Sequence, residues 1–283
     1  MESIRTTAAG LVLVTCLASI AIAEGKKEYR YSVGANANVS VDTQYGSISV
    51  KPGNASQVTV IALPQSDKVE VDNFQQGNRI EIESHLLAGA DDQTGRVDYE
   101  LTVPPDATIS LRSSTGQLSV SGVQGDLALE GATASVDVRN VSNGHVHVKT
   151  MSGPVVLTDV HADHVEISSI SGDVHLNSVT GRKVDVNSTG GRIFFDGGFG
   201  SGGDYSFMTH TGDIEALVPA NASADFRARS MHGQVENEFP LQPEQFPRSL
   251  VANGSAFMGT MGKAASKVVF QTFSGKIHLK RQR

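Results

Sequence analysis

The chain has 283 residues, with 23 Lys and Arg against 30 Asp and Glu, and its formal net charge is -7. A mildly acidic chain of this kind is a poor candidate for binding nucleic acid or an anionic membrane surface. The 29 glycines and the absence of tryptophan predict many short elements joined by turns, and few long helices.

The first 23 residues have the pattern of a secretory signal peptide. Arg5 lies in a short basic region, an apolar run extends from Ala8 to Ala21, and Ala21-Ile22-Ala23 has the small-x-small ending of a cleavage site. We therefore predict cleavage after Ala23, export to the periplasm, the outer surface or the medium, and no membrane span in the mature chain. An uncleaved anchor and lipidation of Cys16, the only cysteine, stay open as alternatives.

Residues 24–103 are predicted to form β-strands with less regular spacing than those that follow. Period-two alternation of apolar and polar residues, bounded by Gly, Pro, Asn and Asp, is the signature of a strand. It recurs seven times before the Pro104-Pro105 pair stops the last strand. The segments are Tyr29–Val33, Val39–Val41, Gly46–Val50, Val58–Val60, Val69–Val71, Arg79–Glu83 and Val97–Val103.

A repeat governs residues 104–283 and already begins at Gly95. Glycine, replaced once by alanine, recurs at intervals of 18 to 21 residues, at Gly95, Gly116, Ala134, Gly153, Gly172, Gly191, Gly212, Gly233, Gly254 and Gly275. A fixed period in this range is typical of solenoid proteins. We therefore predict an all-β protein, a single β-solenoid of about ten rungs, where a rung is one copy of the 18–21-residue repeat. Pro240, Pro243 and Pro247 predict a loop near residues 238–248.

Each rung carries apolar residues at four fixed positions, seven and five before the turn residue and two and four after it. One rung has Val165 and Ile167 before Gly172, and Val174 and Leu176 after it. Alternation with polar residues makes these the inward faces of two short strands. A single rung cannot bury them, so we expect each rung to stack on the next one in chain order. The basic end, Lys280 to Arg283, is expected to cap an open sheet edge.

Hydroxyl residues cluster just before the turn glycine, three and one positions ahead of it. Ser169 and Ser171 before Gly172 are one example. Small hydroxyl side chains at a corner can bond to the turn backbone and along the stack. Since no serine lies in a Gly-x-Ser-x-Gly motif, we interpret these positions as structural and predict no catalytic residue.

The repeated unit Ser/Thr-x-Ser/Thr-Gly-x-Val-x-Leu resembles the bacterial "putative adhesin" β-strand-repeat family. The unit occurs as Thr150–Leu157, Ser169–Leu176 and, with Ile for Val, Thr272–Leu279, and the likeness extends over residues 30 to 283. That family is a domain of unknown function. The resemblance implies an exported protein built from β-repeats, and it brings no catalytic residues with it.

Histidines form a candidate metal site. His145 and His164 are 19 residues apart, which places them one rung apart in a single outward column, and His147 lies in the next column beside Glu166. Imidazoles about 5 Å apart on a rigid face could share Zn²⁺ or Cu²⁺. The alternative is an ordinary solvated face of mixed charge.

Acidic residues offer the only candidate for catalysis. Asp213, Glu215 and Glu236 are expected on adjacent rungs. Some β-solenoids that cleave polysaccharides use clustered acids on one face, although chance placement explains this group equally well.

Taken together, the sequence predicts an exported, non-enzymatic β-repeat protein with an adhesin-like binding or scaffold role in the cell envelope. Its expected partners are an envelope protein, a glycan or another copy of itself, with no nucleic acid and no cofactor. Two alternatives stay open, a polysaccharide-active β-helix enzyme and a metal-responsive envelope sensor.

Overall fold

The computed structural model describes residues 25–239 and 255–282. The predicted signal peptide with its cleavage site at Ala23, the turn residue Gly254 and most of the predicted loop near 238–248 lie outside these residues. Among the described residues no helix is long and apolar enough to cross a membrane.

Twenty-four short β-strands make up the regular structure of the described segments. The first twelve are β1 (Lys27–Ser32), β2 (Asn38–Tyr45), β3 (Ile48–Pro52), β4 (Gln57–Pro64), β5 (Val69–Gln76), β6 (Arg79–Leu86), β7 (Val97–Val103), β8 (Thr108–Thr115), β9 (Gln117–Ser121), β10 (Leu127–Gly131), β11 (Ser135–Ser142) and β12 (His145–Thr150). The second twelve are β13 (Val155–His161), β14 (His164–Ser169), β15 (Val174–Thr180), β16 (Lys183–Ser188), β17 (Ile193–Asp196), β18 (Asp204–Thr209), β19 (Ile214–Val218), β20 (Ala224–Ser230), β21 (Val235–Asn237), β22 (Ala256–Met261), β23 (Lys267–Thr272) and β24 (Ile277–Arg281).

The strands form two sheets of twelve, and the predicted all-β class is confirmed. The first sheet has the order β1-β4-β7-β3-β9-β11-β13-β15-β17-β19-β24-β21, and the second has β22-β20-β23-β18-β16-β14-β12-β10-β8-β2-β6-β5. In the middle of the chain, successive rungs pair in parallel, with β12 on β14 and β13 on β15, and each rung gives one strand to each sheet. Antiparallel strands lie at the ends, β1 and β4 in the first sheet and β5 and β22 in the second.

The order of the rungs departs from chain order at both ends, so the expectation of strictly sequential stacking is wrong there. The rung of β23 and β24 lies between the rung of β18 and β19 and the rung of β20 and β21. At the other end β2 lies between β8 and β6, and β3 between β9 and β7. The last rung is consequently internal, and its basic end does not cap an open edge as expected. Rungs carry equivalent apolar columns, so the inward pattern leaves their order free.

A single hydrophobic core lies between the two sheets and consists of the predicted columns. Val165, Ile167, Val174 and Leu176 are all fully buried, and each pairs with its equivalent in the neighbouring rung. Full burial of one such side chain contributes about 1.5–3 kcal/mol, which repeats along the stack. Near the end occupied by the last rung the core becomes aromatic, where Phe207 stacks on Phe270 with ring centroids 5.2 Å apart.

The hydroxyl and glycine positions at the turns have the structural role that the sequence indicates. Thr150 Oγ1 accepts a hydrogen bond from the backbone N–H of Gly153 at 3.0 Å, and Thr272 Oγ1 accepts the equivalent bond from Gly275. A Cβ built on Gly172 would lie 2.1 Å from the carbonyl oxygen of Gly153. These glycines are therefore required by the close approach of successive turns.

Cross-linking tests the unexpected rung order. Met208 of β18 pairs with Gln271 of β23, and Gln271 pairs in turn with Arg229 of β20. In a Cys16→Ser background, Met208→Cys with Gln271→Cys should form a disulfide, because neighbouring strands are about 4.8 Å apart and disulfides need Cα atoms within about 7 Å. Met208→Cys with Arg229→Cys should remain reduced, because two rung spacings separate these positions. If mass spectrometry showed a disulfide in the second pair and none in the first, the rungs would be stacked in chain order.

The buried side chain of Tyr99 in β7 makes the stability of the protein depend on pH. Its side chain is 1% exposed, its hydroxyl is hydrogen-bonded to that of Ser84, and burial raises the pKa of Tyr99 to about 12 from the usual 10.0. As pH rises the unfolded chain loses this proton first, so the contribution is complete below pH 10 and is lost between pH 10 and about 12. At about 1.4 kcal/mol per pH unit this amounts to roughly 2–3 kcal/mol.

We expect Tyr99→Phe to reduce this alkaline loss of stability. Denaturant titrations between pH 9 and 12 measure the free energy of unfolding of both proteins. Equal slopes for the two would show that Tyr99 does not contribute.

Candidate functional site

The predicted histidine column exists on the outer face of the second sheet. His145 of β12 is the register partner of His164 of β14, and their rings meet edge to face with centroids 6.0 Å apart. His147 lies opposite Glu166, with Nδ1 3.4 Å from Oε2. Parallel pairing thus brings together the side chains that the 19-residue spacing places on neighbouring rungs of one column.

Carboxylates alternate with the bases on this face. His164 Nε2 is 3.9 Å from Asp185 Oδ2, and the same oxygen is 2.7 Å from Lys183 Nζ. The hydrogen bond from Lys183 to Asp185, reinforced by the charge of that carboxylate, raises the pKa of Lys183. The face therefore alternates carboxylates with lysine and imidazole groups, and surface pairs of this kind each contribute little to stability.

This face supplies pairs of metal-binding groups and does not gather a larger set. Within residues 25–239 and 255–282, His, Cys, Asp and Glu side chains nowhere form a group of three or more that could hold a metal ion. A protein zinc site takes three or four ligands. Metal binding at His145, His147 and His164 stays a prediction.

The three acids of the enzyme hypothesis are not on adjacent rungs, and that expectation is wrong for Glu236. Both Glu215 and Glu236 are register partners of His278, so the rung of β24 separates them. Each acid has its own partner: Glu215 Oε1 is 3.0 Å from Lys280 Nζ, and Glu236 Oε2 is 3.5 Å from His278 Nδ1. Asp213 Oδ1 accepts the backbone N–H of Lys276 at 2.7 Å. The acids therefore serve separate local contacts and do not converge.

A different surface stands out at the corner where the second sheet passes into the first. The residue two positions before the turn glycine is exposed in six neighbouring rungs and is mostly apolar. We call this row the corner strip; in spatial order it consists of Met151, Ile170, Thr189, His210, Phe273 and Met231. Among the described residues, the large apolar side chains that are exposed include four of the strip (57% exposed for Met151, 42% for Phe273), Met208 beside it, and Phe74 and Leu87 elsewhere.

Backbone hydrogen bonds link each turn of the corner strip to the next. Ser171 N–H donates to the carbonyl of Met151 at 2.8 Å, Gly190 N–H to that of Ile170 at 2.7 Å, and Thr211 N–H to that of Thr189 at 2.9 Å. Phe273 N–H donates to His210, and His232 N–H donates to Phe273. The strip is therefore a rigid extension of the strand ladder, with side chains at the rung spacing of about 4.8 Å.

Stacked aromatic rings and two shallow grooves lie along the corner strip. The ring of His210 stacks on that of Phe273 with centroids 4.7 Å apart, and His232 packs edge-on against the same ring. A groove of about 260 Å³ borders this group and is lined by Met208 and Met231. A second groove, of about 410 Å³, borders Met151 and Ile170 between Arg112 and Lys149. Exposed apolar groups beside grooves on a rigid support are typical of a docking surface.

The corner strip does not follow from the alternation of residues within strands. The strip lies between strands, where two-residue alternation gives no information. The signal was nevertheless present, since Met151, Ile170, Met231 and Phe273 all stand two positions before a turn glycine. Single exposed apolar residues are ordinary, whereas a contiguous row of them marks an interaction surface.

Several solved structures match over most of the chain, at a likeness too distant to indicate a function. A "putative adhesin" from Bacteroides fragilis has 8% identity and a TM-score of 0.40, covering 91% of this chain and 98% of its own. A "putative adhesin" from Parabacteroides merdae has 10% identity and a TM-score of 0.40, with 92% and 97% covered. A "putative lipid binding protein" from Parabacteroides distasonis has 9% identity and a TM-score of 0.36, with 92% and 98% covered.

A family match covers most of the chain. No curated protein matches the chain. The sequence profile described as Toastrack DUF4097 matches residues 36–280. This match confirms the resemblance to an adhesin-like repeat family of unknown function, and by it the chain belongs to the Toastrack DUF4097 family.

Proposed function

We propose that this protein is an exported, non-enzymatic binding module of the cell envelope, which uses the corner strip to hold another macromolecule. The observation that carries the proposal is the row of exposed Met, Ile and Phe side chains along one rigid corner. Phenylalanine and methionine are enriched in protein interfaces relative to the rest of the surface. The grooves beside the strip are open and shallow, which suits a surface contact better than enclosure of a small substrate.

Three further features belong to the proposal. Residues 1–23 act as a signal peptide, residues 24–103 form the irregular part, and residues 104–283 form the regular repeat with a loop near 238–248. The two sheets are the flanks of one β-solenoid, supported by the parallel pairing of successive rungs in both sheets. The site of action is the periplasm, the outer surface or the medium, supported by the apolar run and the Ala21-Ile22-Ala23 ending.

Binding measurements with matched variants test the function. The purified full chain is immobilised and exposed in turn to solubilised envelope proteins, to envelope glycans and to the chain itself. Binding to at least one of these should be lost in Phe273→Asp, which puts a charge into the strip. It should survive in Phe74→Asp, which makes the same change at an exposed phenylalanine of β5 outside the strip. Failure of all three to bind, or equal binding by Phe273→Asp, would overturn the proposal.

A further inference from the structure

The corner strip has a symmetry that identifies a partner. Its midpoint lies between the rungs of Thr189 and His210. When the row is read in the opposite direction from that midpoint, Ile170 meets Phe273 and Met151 meets Met231. The two polar residues of the strip, Thr189 and His210, meet each other. An apolar residue therefore always corresponds to an apolar residue, and all four are exposed.

A row of charges beside the strip has the same midpoint. In the four middle rungs of the strip the residues directly after the turn glycines are, in spatial order, Asp173, Arg192, Asp213 and Lys276, and the two outer rungs have the uncharged Pro154 and Gln234. The backbone N–H of Arg192 bonds Asp173 at 2.9 Å and that of Lys276 bonds Asp213 at 2.7 Å, which fixes the order. Read in reverse, the row pairs Asp173 with Lys276 and Arg192 with Asp213. Every acid then faces a base.

The row between these two is small, which allows close approach. It contains the residues directly before the turn glycines, and in four successive rungs these are Ser171, Gly190, Thr211 and Ser274. No bulky side chain in these four rungs would hold a partner away from the apolar and charged rows. The apolar, small and charged rows can therefore all face their own counterparts in a partner that is reversed about one midpoint.

We propose that the partner of the corner strip is a second copy of this chain, lying antiparallel against it about a two-fold axis between the rungs of Thr189 and His210. A two-fold interface uses the same patch on both copies and must be complementary to itself. The strip meets this condition in both polarity and charge. The two copies also share one rung spacing of about 4.8 Å, so a match at the axis persists along the whole strip. This inference rests on the proposed function and specifies its partner.

Analytical ultracentrifugation of the purified chain, at concentrations from low micromolar to several hundred micromolar, tests the proposal. The wild type should reach a dimer mass. Phe273→Asp should weaken association at least about thirtyfold, because each substitution acts twice in a two-fold interface. Phe74→Asp should associate like the wild type. A wild type that stays monomeric, or a Phe273→Asp variant that dimerises normally, would overturn the proposal.

Charge reversal tests the antiparallel arrangement separately. Arg192→Asp places two like charges opposite each other at the axis and should dissociate the dimer, whereas Arg192→Asp with Asp213→Arg restores opposite charges and should restore it. Thermal unfolding at low concentration checks that all the variants are folded. A double variant that stays as weak as the single one would contradict the arrangement. If the chain is monomeric but envelope protein or glycan still binds through Phe273, only this inference fails and the proposed function stands.

Discussion

Gly191→Ala should lower the free energy of unfolding by at least about 3 kcal/mol. A Cβ at this position would lie 2.1 Å from the carbonyl oxygen of Gly172 and 2.7 Å from its carbon. Inserting one carbon into a packed region usually costs about 1–3 kcal/mol. The cost should be at the upper limit or beyond here, because both atoms belong to the backbone of the neighbouring turn and cannot rotate away. Equilibrium denaturation measures the loss.

The neighbouring residue provides the matched control. A Cβ on Gly190 would meet its nearest heavy atoms, Ile170 O and Thr211 Oγ1, at an ordinary 3.6 Å. Replacing a glycine by alanine where the backbone permits it stabilises a protein by about 0.4–1 kcal/mol, chiefly by restricting the unfolded chain. The same substitution at adjacent positions should thus have opposite signs. Equal effects at Gly190 and Gly191 would contradict the close approach of the turns.

Phe270→Ala should be the most damaging change in the last rung, with a loss of about 3–5 kcal/mol. Phe270 is 1% exposed and its ring stacks on Phe207 at 5.2 Å and lies parallel to Phe226 at 6.5 Å. Its removal leaves a cavity in the rung of β23, between the rungs of β18 and β20. Denaturant unfolding of the variant and the wild type, at the same chain concentration, measures the difference.

Phe74→Ala is the control for this prediction. Phe74 is 55% exposed on the edge strand β5, so its truncation should change the free energy of unfolding by less than about 1 kcal/mol. If Phe270→Ala were equally mild, the last rung would not lie inside the stack between β18 and β20.

The inward face of this protein could be predicted from sequence almost completely. Alternation with period two decides which side chains enter the core, and a 19-residue spacing decides which of them stack. Val165, Ile167, Val174 and Leu176 are buried as the spacing predicts. Even the contact between His145 and His164 follows from the same arithmetic.

The order of the end rungs could not be predicted in the same way. Any rung offers the next one the same apolar columns and the same backbone donors and acceptors. The sequence therefore gives little reason to choose β20 or β23 as the neighbour of β18. The structure places β23 there, with Phe270 directly opposite Phe207. This choice also separates Glu215 from Glu236, and it brings Phe273 between His210 and Met231 in the corner strip.

The corner strip depends on that same choice. With rungs in chain order, Met231 would follow His210 directly and Phe273 would leave this place in the row. The charged row would then have Gln234 in place of Lys276, and Asp173 would face no base. Lys276 completes the charge pattern only because its rung follows that of Asp213. Prediction of the surface therefore required the spatial order, although each of its residues is visible in the sequence.

Cross-linking of single-cysteine variants tests the central claim, that the chain binds its own copy through the corner strip about a two-fold axis. In a Cys16→Ser background, Thr189→Cys lies beside the axis, about one rung spacing of 4.8 Å from its equivalent along the stack. Met151→Cys lies about five spacings, or 24 Å, from its own equivalent. We predict that mild oxidation converts Thr189→Cys to a covalent dimer and leaves Met151→Cys monomeric. A covalent dimer of Met151→Cys, or none of Thr189→Cys, would contradict the account.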